Sequence, residues 1–320
     1  MRERFFSALV TVVAVVLLLP AAAASQTPTD SGAPPRTAWG DPDLNGTWSY
    51  ASLTPLQRPT SMADKEFFTP EEAAERNYAV TLDQPPRTGD VGSYNALWFD
   101  RGEVSSDRRT SLIVDPPDGR LPVKPETQEQ AAAQRDYRRA HPGDSWLDRS
   151  NWDRCITYHG VPPISTGYNN TYQILQTADY VAIRVENIHD VRIIPLDGRA
   201  QLDDGVRQWN GDSRGHWEGD TLVVETANFS DQTVHRFPSS RNTKAVERFR
   251  VVSKDRIDYQ FTIEDATVYT SPWTAVRPMP RLDDYIMYEY ACHEGNYAMT
   301  NILTVERARE RDAAARTGSK

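Results

Sequence analysis

Arg256-Ile-Asp-Tyr-Gln-Phe-Thr-Ile263 is the stretch on which the fold turns. Ile257, Tyr259, Phe261 and Ile263 alternate with Asp258, Gln260 and Thr262. Period-two alternation describes a strand with one buried and one wet face. Immediately upstream, Ser253-Lys254-Asp255 joins it to a second β-prone run, Val246 to Val252. Further upstream, Thr221 to Thr226 follows a Glu218-Gly219-Asp220 turn, and Tyr172 to Leu175, Tyr180 to Val185 and Val191 to Ile194 are short runs of the same kind. Downstream, Val268 to Val276 and Ile286 to Cys292 extend the series. Hairpin-length connections without intervening helices imply antiparallel pairing. The expected fold is mainly β, an antiparallel up-and-down barrel or sandwich. Asn301 to Arg316 reads as a charged terminal helix.

The N-terminal half reads differently. Thr69-Pro70-Glu71-Glu72 has the pattern of a capping box with proline in the first turn, and the helix it starts is expected to reach Val80. Pro125 to Ala140 reads as a second short helix, stopped by His141-Pro142-Gly143. Both have few large apolar residues, so 39–165 is expected to be irregular and to wrap the β core. Residues 1–24 resemble a signal peptide. Arg2 and Arg4 precede the apolar run Phe5 to Leu19, Pro20 ends it, and small residues lead to a cleavage site after Ala24. The run is shorter than the about 20 residues that span a bilayer, and no second run follows, so a mature chain has no membrane span. Residues 25–38 are polar and proline-rich, the composition of a disordered leader. The expected organisation is a signal peptide at 1–24, a leader at 25–38, and one domain at 39–320. Within that domain 39–165 wraps, 166–296 forms the core and 297–320 is a helix and tail.

Formal net charge is −9, and no basic stripe interrupts it, which argues against a nucleic-acid partner. Cys155 and Cys292 are the two cysteines of the chain. In an oxidising, extracytoplasmic compartment an even count favours a disulfide.

Gly46-Thr47-Trp48 before a β-rich region resembles the Gly-x-Trp signature of lipocalin-like (calycin) barrels. That resemblance implies a barrel whose tryptophan closes one end over a ligand cavity. Gly215-His216-Trp217 matches the same three-residue pattern, and more than a hundred residues separate Trp48 from the main strands. A second resemblance covers most of the chain. GDPDLNGTWS (40–49), RTSLIVDPPDGRLP (109–122), YNNTYQILQT (168–177), HDVRIIPLDGR (189–199), GDSRGHWEGDTLVVET (211–226) and YEYACHEGNY (288–297) look like a family of secreted bacterial proteins of unassigned function. It implies export and a shared fold, and it brings no activity with it.

Chemistry has a few candidate seats. Gly211-Asp212-Ser213-Arg214-Gly215 fits Gly-x-Ser-x-Gly, but a nucleophile elbow needs a strand before it and a helix after it. A polar stretch precedes it and a strand follows, so a glycine-rich turn is expected. His189-Asp190 and His293-Glu294 each stand where a strand gives way to a turn, and imidazole with carboxylate can carry acid–base catalysis. A disulfide at Cys292 would hold His293 near His159. The four side chains of these two His-acid pairs could also bind a divalent metal, but standard metal spacings are missing. Nucleotide-binding and Cys-x-x-Cys motifs are missing too, so nucleotide cofactors, redox dithiols and thermolysin-like zinc hydrolysis are unsupported and the cofactor is left open. Arg207, Trp209, Asp212 and Arg214 form a polar-aromatic cluster able to stack and fork onto a sugar or carboxylate. Tyr168, Asn169 and Asn170 allow the same reading. The expected function is an exported binding protein with a small organic molecule in its cavity. The alternatives are a hydrolase, lyase or isomerase using the two His-acid pairs, and a structural envelope protein.

Overall fold

Alternation in the 256–263 stretch is realised as a nine-residue strand whose odd-numbered side chains are all buried. The computed structural model describes residues 34–82, 96–158 and 160–318, without the side chains of Trp98 and His189. Residues 1–24, expected to direct export, most of the expected leader, and His159 lie outside the described residues. Strands are β1 (Gly46–Ser49), β2 (Ile113–Asp115), β3 (Thr171–Gln176), β4 (Tyr180–Val185), β5 (Val191–Pro195), β6 (Asp212–Glu218), β7 (Thr221–Ala227), β8 (Lys244–Ser253), β9 (Arg256–Glu264) and β10 (Trp273–Pro280). Helices are α1 (Pro70–Ala79), α2 (Pro125–Ala140) and α3 (Ala298–Gly318).

Two antiparallel sheets result, one in the order β1-β3-β4-β5 and one in the order β2-β10-β9-β8-β7-β6. Their inner faces share one core, with Trp48, Ile174, Ile183 and Ile194 from the first meeting Leu222, Phe249, Ile257, Phe261 and Trp273 from the second. Burying a side chain of this size contributes about 1.5–3 kcal/mol. The arrangement is sandwich-like, and the hydrogen-bonded ladder does not close into a barrel. At one seam a single Trp48–Arg281 bridge and the Leu282 N–H to Thr47 carbonyl bond (2.8 Å) tie β1 to the chain just past β10. At the other seam Gly215 of β6 faces β5 so closely that a Cβ there would stand 2.8 Å from Ile194 and from Leu196. The inner faces are packed with the side chains of this core.

Several expectations shift. The strand expected over 268–276 begins only at Trp273, because the Asp265 carbonyl accepts the N–H groups of Val268 and Tyr269 and bends the chain there. Residues 286–292 form no strand. The β-prone run has no neighbour to pair with, and Ile286 and Tyr288 are exposed. The segment expected to turn at 211–215 is instead the start of β6, with Ser213 Oγ bonded at 2.9 Å to Thr226 Oγ1 of β7. The N-terminal half is not all wrapping, since Leu44, Trp48, Tyr50, Leu112 and Ile113 enter the main core.

Helix starts follow the sequence. Thr69 and Glu72 form the reciprocal capping box of α1, at 3.2 and 2.8 Å. No residue of α2 is buried. Cys155 and Cys292 form a disulfide with Cα atoms 5.7 Å apart, closing a separation of 137 residues. In the chain-entropy account such a closure is worth about 5 kcal/mol.

Candidate functional site

Between β4 and β5 the chain passes through Glu186-Asn187-Ile188-His189-Asp190. Ile188 has φ 63° and ψ 7° and is buried. A β-branched residue in the left-handed region is strained, at a cost of about 1–3 kcal/mol, and such strain persists only where its surroundings enforce it. Here the Val185 N–H bonds the Asp190 carbonyl at 2.8 Å, and the Glu186 N–H bonds the Thr171 carbonyl at 3.1 Å.

The side chains of this turn divide between two directions. Glu186 accepts a short hydrogen bond from the Tyr285 hydroxyl, while its Oε2 is buried without a partner among the described residues. Burial raises the Glu186 pKa, and the Tyr285 bond only partly offsets this. Asn187 is 1% exposed, and neither its amide nitrogen nor its amide oxygen has a hydrogen-bond partner among the described residues. It lines a closed pocket of about 10 Å³ with Thr157, Tyr172, Asp190, Arg192 and Asn210. Asp190 Oδ2 accepts from Asn210 Nδ2 at 2.9 Å, and Asn210 Oδ1 accepts from Thr157 Oγ1 at 3.3 Å.

Beneath the turn the sandwich interior becomes charged. Arg192 of β5 makes a bidentate ion pair with Glu247 of β8, one arm at 3.1 Å and the other shorter, and Glu247 also accepts from the Tyr259 hydroxyl at 2.7 Å. Burial alone would lower the Arg192 pKa; the Glu247 carboxylate outweighs it and raises it. Arg277 of β10, opposite Tyr259 in register, is buried without an ion-pair partner among the described residues. It donates to the carbonyls of Tyr50 (2.9 Å) and Pro163 (2.7 Å), and its guanidinium lies 5.4 and 5.5 Å from the Tyr50 and Tyr259 ring centroids. Burial lowers its pKa and raises those of Tyr50, Tyr172 and Tyr259. Clustering of perturbed ionisable groups at one end of a fold marks a candidate site.

The other expected residues disperse. His189 lies in the strained turn, but its side chain is outside the described residues. His293 and Glu294 are exposed in the loop after Cys292, and no hydrogen bond or ion pair among the described residues links either to Asp190. Arg207 donates to the carbonyls of Asp204 (2.7 Å) and Arg241 (3.0 Å). Asp212 accepts from the Leu202 N–H (2.8 Å) and from Arg214 (2.5 Å), while Arg214 also donates to the Ala200 carbonyl (3.0 Å). The polar members of this cluster therefore brace the 199–214 segment. Trp209 stands apart, its ring facing Arg154. Tyr168 and Asn169 offer backbone carbonyls to Thr166 and Tyr50. Asn170 spends its amide on Thr166 and the Asp100 carbonyl.

Asn187, Arg192, Glu247 and Arg277 were missed by motif reasoning, although parity could have found three of them. Glu247 shares the inward parity of Ala245, Phe249 and Val251, and Arg277 that of Trp273, Ala275 and Met279. Arg192 shares that of Ile194. Among the described residues no group of three or more His, Cys, Asp or Glu side chains could hold a metal ion. No protein-family model matches this chain, and no curated protein matches it significantly.

Proposed function

We propose that the protein is an exported binding protein for a small polar molecule, taken up at the β4–β5 end of the sandwich. The observation that carries this is the Asn187 amide, buried on a strained turn with neither polar atom bonded among the described residues. Leaving such a group unbonded costs about 1–3 kcal/mol. A ligand carrying both a donor and an acceptor would recover that cost. Tyr172, Asp190 and Asn210 supply further polar contacts around the same pocket. The space among these residues is only about 10 Å³, so in this proposal the loops carrying Thr157 and Asn210 part to admit a ligand. The ligand sits at the end of the sheets, since their inner faces are packed with core side chains. Export is supported by the 1–24 pattern, by the disulfide, and by the resemblance to secreted bacterial proteins.

A thermal-shift screen of the disulfide-intact protein against polyols, amino acids and small amides tests this. One class should raise Tm, because ligand at a hundredfold excess over Kd stabilises by about 2.7 kcal/mol. A flat response across all three classes contradicts the proposal.

Glu186 favours a second reading, as an acid in catalysis. Burial, which raises the pKa of this carboxyl, is the environment in which a general acid is tuned. In that reading, turnover of a glycoside or ester would fall below about one hundredth in Glu186→Gln; equal turnover by both proteins would rule it out.

A further inference from the structure

Away from the turn, a cleft of about 500 Å³ opens between the end of α2, the 147–154 loop and the 231–234 loop. Arg154 is its central cation. Its guanidinium lies 4.6 Å from the Trp146 ring centroid and 5.9 Å from that of Trp209. Its N–H groups have no hydrogen-bond acceptor or ion-pair partner among the described residues. Arg138, on the last turn of α2, is likewise unpaired and lines the same cleft. Arg149 bonds Asp153 at 3.0 Å and the Pro142 carbonyl at 2.8 Å, yet its Nε is buried without a partner.

Acids line the cleft too, but each is engaged. Asp153 holds Arg149 and the Ser150 N–H, Asp148 caps Ser145, and Asp231 faces Arg241 at 3.4 Å. Asp148 meets no cation among the described residues, so two unpaired guanidiniums, Arg138 and Arg154, stand against one carboxylate. Stacking over aromatic faces uses a guanidinium's π surface and leaves its N–H fork free, the geometry that matches a carboxylate. Leu147 and Val234, both exposed, and Pro142 add an apolar wall. The backbone of Arg154 is fixed by the neighbouring Cys155, which sits at φ 52° and is bridged to Cys292.

We propose that this cleft is a binding site for an organic monocarboxylate with a hydrocarbon body, the carboxylate forked by Arg154 and the body laid against Leu147 and Val234. The site is separate from the Asn187 pocket and does not depend on it. Calorimetric titration of the disulfide-intact protein with benzoate, acetate and sulfate tests it. Benzoate should bind at least tenfold more tightly than acetate. Arg154→Gln should weaken benzoate at least tenfold, Arg154→Lys should recover only part of the loss, and Asn187→Leu should leave it unchanged. Should Arg154→Gln fail to fold, Val234→Asp at the cleft wall should weaken benzoate by a similar factor through charge and lost apolar contact. The proposal is overturned if benzoate does not bind, if sulfate alone binds, or if the folded Arg154 or Val234 variant binds benzoate as the wild type does.

Discussion

Glu247 is the residue whose chemistry most constrains the interior. It is fully buried and serves both Arg192 and Tyr259. Removing one partner of a buried ion pair strands the other charge, so Glu247→Ala should lose about 3–5 kcal/mol in urea denaturation. Replacing both partners, as Glu247→Leu with Arg192→Met, should return stability to within about 2 kcal/mol of wild type. A double variant as unstable as the single one would show that the pair itself, rather than the stranded charge, carries the stability. His235 makes a second residue-scale prediction. Both ring nitrogens are buried without a partner among the described residues, and Phe229 and Phe237 lie 4.9 and 5.0 Å away, centroid to centroid. Burial lowers its pKa from the ordinary 6.5 to about 4. The unfolded chain then binds a proton more readily, so the neutral His235 contributes stability above pH 6.5 that is lost as pH falls towards 4. The loss is about 3 kcal/mol at 1.36 kcal/mol per pH unit. His235→Phe should remove that part of the acid slope, read as the difference between the two proteins' urea midpoints from pH 7 to 4. Parallel slopes would mean that the imidazole reaches solvent or a partner.

At the scale of elements, the seam between β5 and β6 depends on the absence of a side chain at Gly215. Gly215→Ala puts a methyl 2.8 Å from the side chains of Ile194, which is fully buried, and Leu196, which is partly buried. Overpacking of this kind costs about 1–3 kcal/mol. A urea midpoint unchanged from wild type would show that the two sheets can part there freely. Strands β8 and β9 were legible because both faces are defined, one by Phe249, Tyr259 and Phe261 and the other by charge. The same period-two logic failed at 286–292, where Tyr288 and Tyr290 alternate just as well. Alternation states which face a strand would bury, but not whether another strand is there to cover it. Strands β1 and β2 are too short for any period to register, and they enter the sheets through long-range pairing with β3 and β10. The capping box at Thr69 was legible because it is settled within four residues.

Across the whole molecule, the candidate site was only half visible in the sequence. His189 and Asp190 stand in the turn that carries the candidate site, but the strain at Ile188 and the lack of a described partner for Asn187 arise only once β4 and β5 are paired. Arg207, Asp212 and Arg214 stand close enough in sequence either to grip a ligand or to pair among themselves, and the fold engages them with carbonyls and with each other. In the proposed function, Asn187 is kept for a ligand at the expense of stability. The most direct test is the Tm of Asn187→Leu beside that of wild type, each with and without the polar ligand class found to stabilise the wild type. An apolar side chain of similar shape removes two unbonded polar atoms, so the free variant should melt at or above the wild-type Tm and show no ligand-induced shift. A variant that melts well below wild type, or that keeps the full ligand shift, would contradict the claim that this amide waits for a partner.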